Sequence, residues 1–235
     1  MPRFSFKVLI LVALCIAAGD AIAAKGAGAF QVFLVDTSIL PTPNEYIVNG
    51  QLTSDDEVVL SMIDINVAET YRFRSLGYGG GSLPGGAVVS PGGFDTILTL
   101  FKDDLLLAQN DDASFAEFDP ATSAAFDAGF DIFLEPGLYT LAITQYDNFA
   151  ISDNLNDLFS REGEGNFTPS LANDSALPGS LCLATSFCDV SGVEGPNART
   201  ANYIVSVTVV PLPGALFLML SVLVALSRFA RVKRR

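Results

Sequence analysis

The sequence predicts an all-β fold, a β-sandwich carried between two apolar ends. Three observations point to it. Short apolar runs alternate with polar residues at a period of two, the pattern of strands that bury one face. Clusters of Gly, Pro, Asn and Asp separate these runs. Between the ends, no apolar period of 3.6 persists long enough for a helix of useful length. The chain has 235 residues, half of them hydrophobic, which suffices for one domain of ordinary size with a packed core.

The elements follow in chain order. Arg3 and Lys7 precede an apolar run at 8–18, and Ala21-Ile22-Ala23 supplies small residues at the spacing that a signal peptidase reads. Cleavage is expected after Ala23 or after Ala24. Cys15 follows Leu14, where a lipoprotein signal needs a small residue, so lipidation is not expected. The run is also short for an uncleaved membrane anchor. A brief apolar run lies at 30–35. At 58–67 the pattern alternates from Met62 onward, with Ile63, Ile65 and Val67 on one face and Asp64 and Asn66 on the other. At 70–76, Tyr71 and Phe73 oppose Arg72 and Arg74. Strands at 96–101 and 105–108 form a hairpin across Lys102, Asp103 and Asp104. A strand at 131–134 meets the turn Glu135-Pro136-Gly137, where Pro presets φ and Gly accepts a positive φ. The strand at 138–146 then puts Tyr139, Leu141 and Ile143 on one face. The last, at 203–209, alternates Tyr203, Val205, Val207 and Val209. Two long loops interrupt the pattern, at 77–93 and 147–199. Loops of that length are functional or poorly ordered.

Val210-Pro211-Leu212-Pro213-Gly214 ends the strand pattern. An apolar stretch follows at 215–226, then a basic end of Arg228, Arg231, Lys233, Arg234 and Arg235. The stretch is shorter than the roughly 20 residues of a usual spanning helix, but with Leu212 and Gly214 it reaches across a thin bilayer. The basic end then stays in the cytoplasm, as in a stop-transfer segment that holds an exported domain outside.

This arrangement resembles the PEP-CTERM sorting signal of Gram-negative bacteria. Val210, Pro211, Leu212 and Pro213 fill its motif, with Leu212 where the family often has Glu. The resemblance implies export by the secretion and signal peptidase machinery, then processing by an exosortase-type transpeptidase near the motif. It also implies a place at the cell surface or in the extracellular matrix, in association with exopolysaccharide or biofilm. A plain C-terminal membrane anchor is the alternative on the same stop-transfer logic.

A second resemblance lies in the middle. The segment Gly92-Gly93-Phe94-Asp95-Thr96-Ile97-Leu98-Thr99-Leu100-Phe101, then Leu107-Ala108-Gln109-Asn110-Asp111-Asp112, then Glu135-Pro136-Gly137-Leu138-Tyr139-Thr140-Leu141, is similar to the bacterial pre-peptidase C-terminal (PPC-like) domain. Ser75-Leu76-Gly77-Tyr78-Gly79-Gly80-Gly81 is similar to the variant of that domain found in PEP-CTERM proteins. The resemblance implies a jelly-roll-like β-sandwich, an accessory or binding module without an active site of its own, acting in adhesion or polysaccharide association. The expected division is a signal peptide at 1–23, an N-terminal segment at 24–57, the sandwich at 58–209 and the sorting signal with its transmembrane segment at 210–235.

Charge and composition exclude several functions. Of 26 acidic residues, 25 lie within 25–210, against 6 of the 13 basic ones, which leaves that part at a net charge of −19. Such a domain does not bind nucleic acid by neutralising phosphates. The chain has no histidine, which removes zinc hydrolase motifs and Ser-His or Cys-His catalysis. Carboxylate-only catalysis, as in glycan hydrolases, stays open and needs two facing carboxylates about 5–9 Å apart in a cleft.

Candidate sites are few. Asp95 begins one strand of the 96–108 hairpin, and Asn110, Asp111 and Asp112 end the other, so the four share a sheet edge. They supply the oxygen ligands that Ca²⁺ takes, and equally they suit turn capping by Asx side chains. Asp119 and Asp131 are weaker additions. Cys182 and Cys188 are the cysteines that remain after signal removal, and in an exported chain they are expected to form a disulfide that staples a loop. Asn166-Phe167-Thr168 and Asn173-Asp174-Ser175 match the N-glycosylation pattern, a coincidence in a bacterial chain. The many Phe residues are expected in the core, although aromatic faces also stack on sugars.

Overall fold

A computed structural model describes residues 32–34, 45–173, 182–189 and 198–211. The signal segment with Ala21 and Ala23, and the tail from Leu212 and Pro213 onward, lie outside the described residues. Among the described residues no helix is long and apolar enough to cross a membrane.

The chain folds as a β-sandwich. One sheet is built from β1 (Val32–Leu34), β3 (Val59–Ile65), β10 (Gly137–Gln145), β7 (Thr96–Lys102) and β8 (Leu105–Asn110), in that spatial order. The other is built from β2 (Glu45–Gln51), β11 (Asn202–Val209), β4 (Glu69–Ser75) and β9 (Gly129–Leu134). All their pairings are antiparallel except β1 with β3. A small hairpin of β5 (Gly81–Ser82) and β6 (Val88–Val89) stands apart, and one short helix, α1 (Thr168–Ala172), follows β10. From β2 to β4 and from β8 to β11 the chain changes sheet at every connection, as a jelly-roll-like chain does. β1 and β2 lie upstream of residue 58, so the sandwich begins earlier than the alternation at 58–67 indicates.

Period-two burial builds the core. Ile63 and Ile65 of β3, Tyr71 and Phe73 of β4, Leu98 and Leu100 of β7, Leu141 and Ile143 of β10, and Val205 and Val207 of β11 all face inward. Each such side chain contributes about 1.5–3 kcal/mol by leaving water. Phe73 stacks on Phe130 with ring centroids 5.1 Å apart. A second, smaller core covers the outer face of the first sheet. There Phe159, from the loop after β10, packs on Phe101 and Ala142, with Leu60, Leu106 and Leu155 around it. Because outward residues of β7 are capped in this way, β7 is buried on both faces and loses its alternation.

The register gives the sandwich two poles. Residues 66–68 and 135–136 connect the sheets at one end, where β11 also finishes, with Val209 opposite Tyr71 and the Val210 N–H donating to the Thr70 carbonyl. The other end holds the start of β11, with Asn202 opposite Gln51, and Thr96 opposite Gln145. β11 therefore ends at one pole, with Val210 and Pro211 after it, and the loop at 77–93 lies at the other.

Candidate functional site

The pole opposite the tail is built from glycine-rich backbone. The Gly93 N–H donates to the Gly77 carbonyl at 2.7 Å, and the Thr200 N–H donates to the Gly92 carbonyl at 2.9 Å. These bonds close the base of the loop and send the β5–β6 hairpin out as a flap. A Cβ on Gly93 would lie 2.7 Å from the carbonyl oxygens of both Gly77 and Asn202, so this close backbone approach requires glycine. Between the flap and the ends of β2 and β11 lies an open pocket of about 510 Å³. Asn49, Ser90, Thr200 and Asn202 give it amide and hydroxyl groups; Leu83, Val88, Val89 and Pro91 give it aliphatic walls. Among the described residues no charged one lines it.

Buried acids hold the base of this pole. Asp127 accepts hydrogen bonds from Ser75 Oγ at 2.7 Å, the Tyr78 N–H at 3.1 Å and the Gly79 N–H at 2.7 Å. Arg199 is buried between Asp119 at 2.6 Å and Asp189 at 3.5 Å, and its guanidinium lies 3.6 Å from the Tyr78 ring centroid. Burial, and after it the bond to Asp189, raises the Tyr78 hydroxyl well above its ordinary pKa, so it stays protonated and donates to Asp189 at 2.6 Å. This network pins the residues beside the pocket to the core.

The four residues expected at one edge do share it, and most of their resolved hydrogen bonds go to backbone. Asn110 lies opposite Leu98 near the end of β8, and its Oδ1 accepts the Gly129 N–H at 2.9 Å, while its Nδ2 donates to the Asp112 carbonyl at 3.2 Å. Asp111 Oδ1 accepts the Asp112 N–H at 3.0 Å. These are turn braces and a link between the sheets. Asp95 is buried, and its Oδ1 has no hydrogen-bond partner among the described residues. Desolvation, then Asp112, Asp189, Asp111 and Asp127, push its pKa well above the usual carboxylate range. Calcium takes six to eight oxygens. Among the described residues no group of three acidic or Cys side chains is placed to hold a metal ion. Asp119 serves Arg199, and Asp131 pairs with Arg72 at 2.7 Å on the surface.

Cys182 and Cys188 form a disulfide, with Cα atoms 6.0 Å apart. Both are buried, and neighbouring Phe187 belongs to the main core, so the bridge fastens its loop onto the sandwich. Asp55, which showed no signal in the sequence, organises the same region. It accepts the N–H groups of Phe167 and Thr168 at 3.0 Å each, the Thr168 hydroxyl and the Phe187 N–H. Asn166 and Asn173 of the glycosylation-type patterns are engaged with Asp55 and Cys182. A second cavity of about 350 Å³ lies nearby and has Glu164 as its one carboxylate. Neither cavity offers the facing carboxylate pair of a glycan hydrolase.

No family model matches the chain, and no curated protein matches its sequence. Among solved structures, the fold is similar to PliG from Aeromonas hydrophila, a periplasmic inhibitor of g-type lysozyme. That likeness has a TM-score of 0.36 at 8% identity, over 77% of this chain and 100% of the other. A likeness to the pre-peptidase C-terminal domain of Bacillus anthracis collagenase has a TM-score of 0.28 at 14% identity, over 45% of this chain and 80% of the other.

Proposed function

We propose that the protein is an exported, non-catalytic β-sandwich, displayed at the surface or in the extracellular matrix of a Gram-negative bacterium, where it associates with exopolysaccharide. In this reading residues 1–23 are a signal peptide. Residues 210–235 are a PEP-CTERM-type sorting signal, membrane-inserted until an exosortase-type transpeptidase cuts near Val210-Pro211-Leu212-Pro213. The observation that carries it is the opposition of the two poles. β11 ends at Val209, immediately before Val210-Pro211-Leu212-Pro213 in the sequence, while the pocket opens at the other end of the same strand. A tail at that position turns the pocket away from the membrane. The acidic surface and the absence of histidine agree with a solvated, non-catalytic module.

Mass spectrometry of the protein taken from its own cells tests this. The expected mature chain begins at Ala24 or Lys25, ends near Val210, and is recovered with the polysaccharide matrix. Retention of residues 215–235 would count against transpeptidase processing, and recovery in the cytosol would count against export.

A further inference from the structure

We infer that the pocket under the β5–β6 flap is a binding site for a neutral glycan segment. The inference rests on the reading of an exported, polysaccharide-associated module and names the site and ligand class within it.

Charge is the first argument. The 25–210 part carries −19, yet among the described residues the pocket walls hold no charged side chain. An uncharged cleft in so acidic a molecule selects against two classes at once. Anionic polymers such as polyuronates meet the repulsion of the surrounding acids, with Asp111 and the exposed Asp112 just beyond β8 at the same pole. Cations find no carboxylate in the walls.

Hydrogen-bonding capacity is the second. Asn49 and Asn202 each carry both an amide donor and an acceptor, Ser90 carries a hydroxyl, and the Thr200 hydroxyl, which donates to the Gly92 carbonyl at 3.1 Å, keeps its lone pairs as acceptors. All four are exposed. Asn202 Oδ1 accepts from Gln51 Nε2 at 2.6 Å, which fixes the direction of its amide. A ligand that donates and accepts along its whole length, without charge, complements this set. Aliphatic walls from Val88, Val89 and Pro91 suit the C–H faces of sugar rings. The volume of about 510 Å³ lies within the roughly 300–1,000 Å³ of small-ligand sites.

Rigidity is the third. Flap and floor are joined by the short backbone bonds of Gly92, Gly93 and Thr200, and beneath them Tyr78, Asp127 and Arg199 are buried. The pocket is therefore formed before a ligand arrives, which lowers the ordering cost of weak polar binding.

The test uses the full chain on an array of neutral and uronate oligosaccharides, with two Trp variants. The native chain has no Trp, so each variant also carries a single fluorescent reporter. Ala87→Trp fills the pocket from the exposed flap; Ile151→Trp, on an exposed residue that does not line it, is the control. Native thermal melting of both variants establishes that they fold. The expected result is retention of neutral glycans in preference to uronates, lost at least tenfold in Ala87→Trp and unchanged in Ile151→Trp. Preference for uronates, no glycan retained, or equal binding by both variants would overturn the inference. A chain that still fractionates with the matrix while Ala87→Trp has no effect would remove this pocket and leave the broader reading standing. A chain absent from the matrix would remove the broader reading.

Discussion

At the scale of single residues, Asp95 is a carboxyl kept from water beside other carboxyls. Its pKa is raised above that of the unfolded chain, so between those two values the folded state binds the extra proton. Stability contributed by the protonated form is therefore complete below the ordinary carboxylate range and falls as pH rises through the folded pKa. Replacing it with Asn, which stays neutral, is expected to leave the melting temperature at pH 4 nearly unchanged and to raise it by a few degrees at pH 8. Scanning calorimetry at the two pH values checks this; an equal shift at both would mean that packing, not charge, decides. Because Asn110 and Asp111 brace a turn, adding Ca²⁺ or a chelator is expected to leave the melting temperature where it was. The sequence placed these residues at one edge through the hairpin, but it could not tell which oxygens the backbone had already taken.

At the scale of elements, period two made β3, β4, β10 and β11 legible, because each buries one face and wets the other. β2 was missed for a physical reason. Its apolar Tyr46-Ile47-Val48 core is short and runs into Asn49-Gly50, which reads as a turn. Gly50 is needed there because a Cβ would sit 2.5 Å from the hydroxyl of Tyr203, a contact between strands remote in sequence. The long loops were equally opaque, since what orders them is paired charge and backbone capture with no local pattern. Arg199 shows this best. Arg199→Ala leaves Asp119 and Asp189 buried without their cation and is expected to cost about 3–5 kcal/mol. Arg199→Lys is expected to recover only part of that, because an ammonium lacks the planar fork and the face that stacks on Tyr78. Urea unfolding of the three proteins gives both numbers.

At the scale of the whole molecule, the last backbone bond to the sandwich among the described residues runs from the Val210 N–H to the Thr70 carbonyl. If the tail is removed by processing as proposed, a chain ending at Pro211 is expected to melt at the same temperature as the full-length protein; a lower value would assign the tail a packing role. β11 also lies between β2 and β4, an inner strand with one end under the pocket and the other at the tail. Suppose a ligand held beside Thr200 and Asn202 is pulled by flow while the tail is fixed. The tension then enters and leaves through the two ends of one strand that is already extended, about 27 Å over its eight residues. Covalent backbone bears it, and the ladders on both sides meet it only as shear along their length. In that arrangement the part of the load taken by Thr200 and Asn202 runs along one inner strand, flanked on both sides by its ladders.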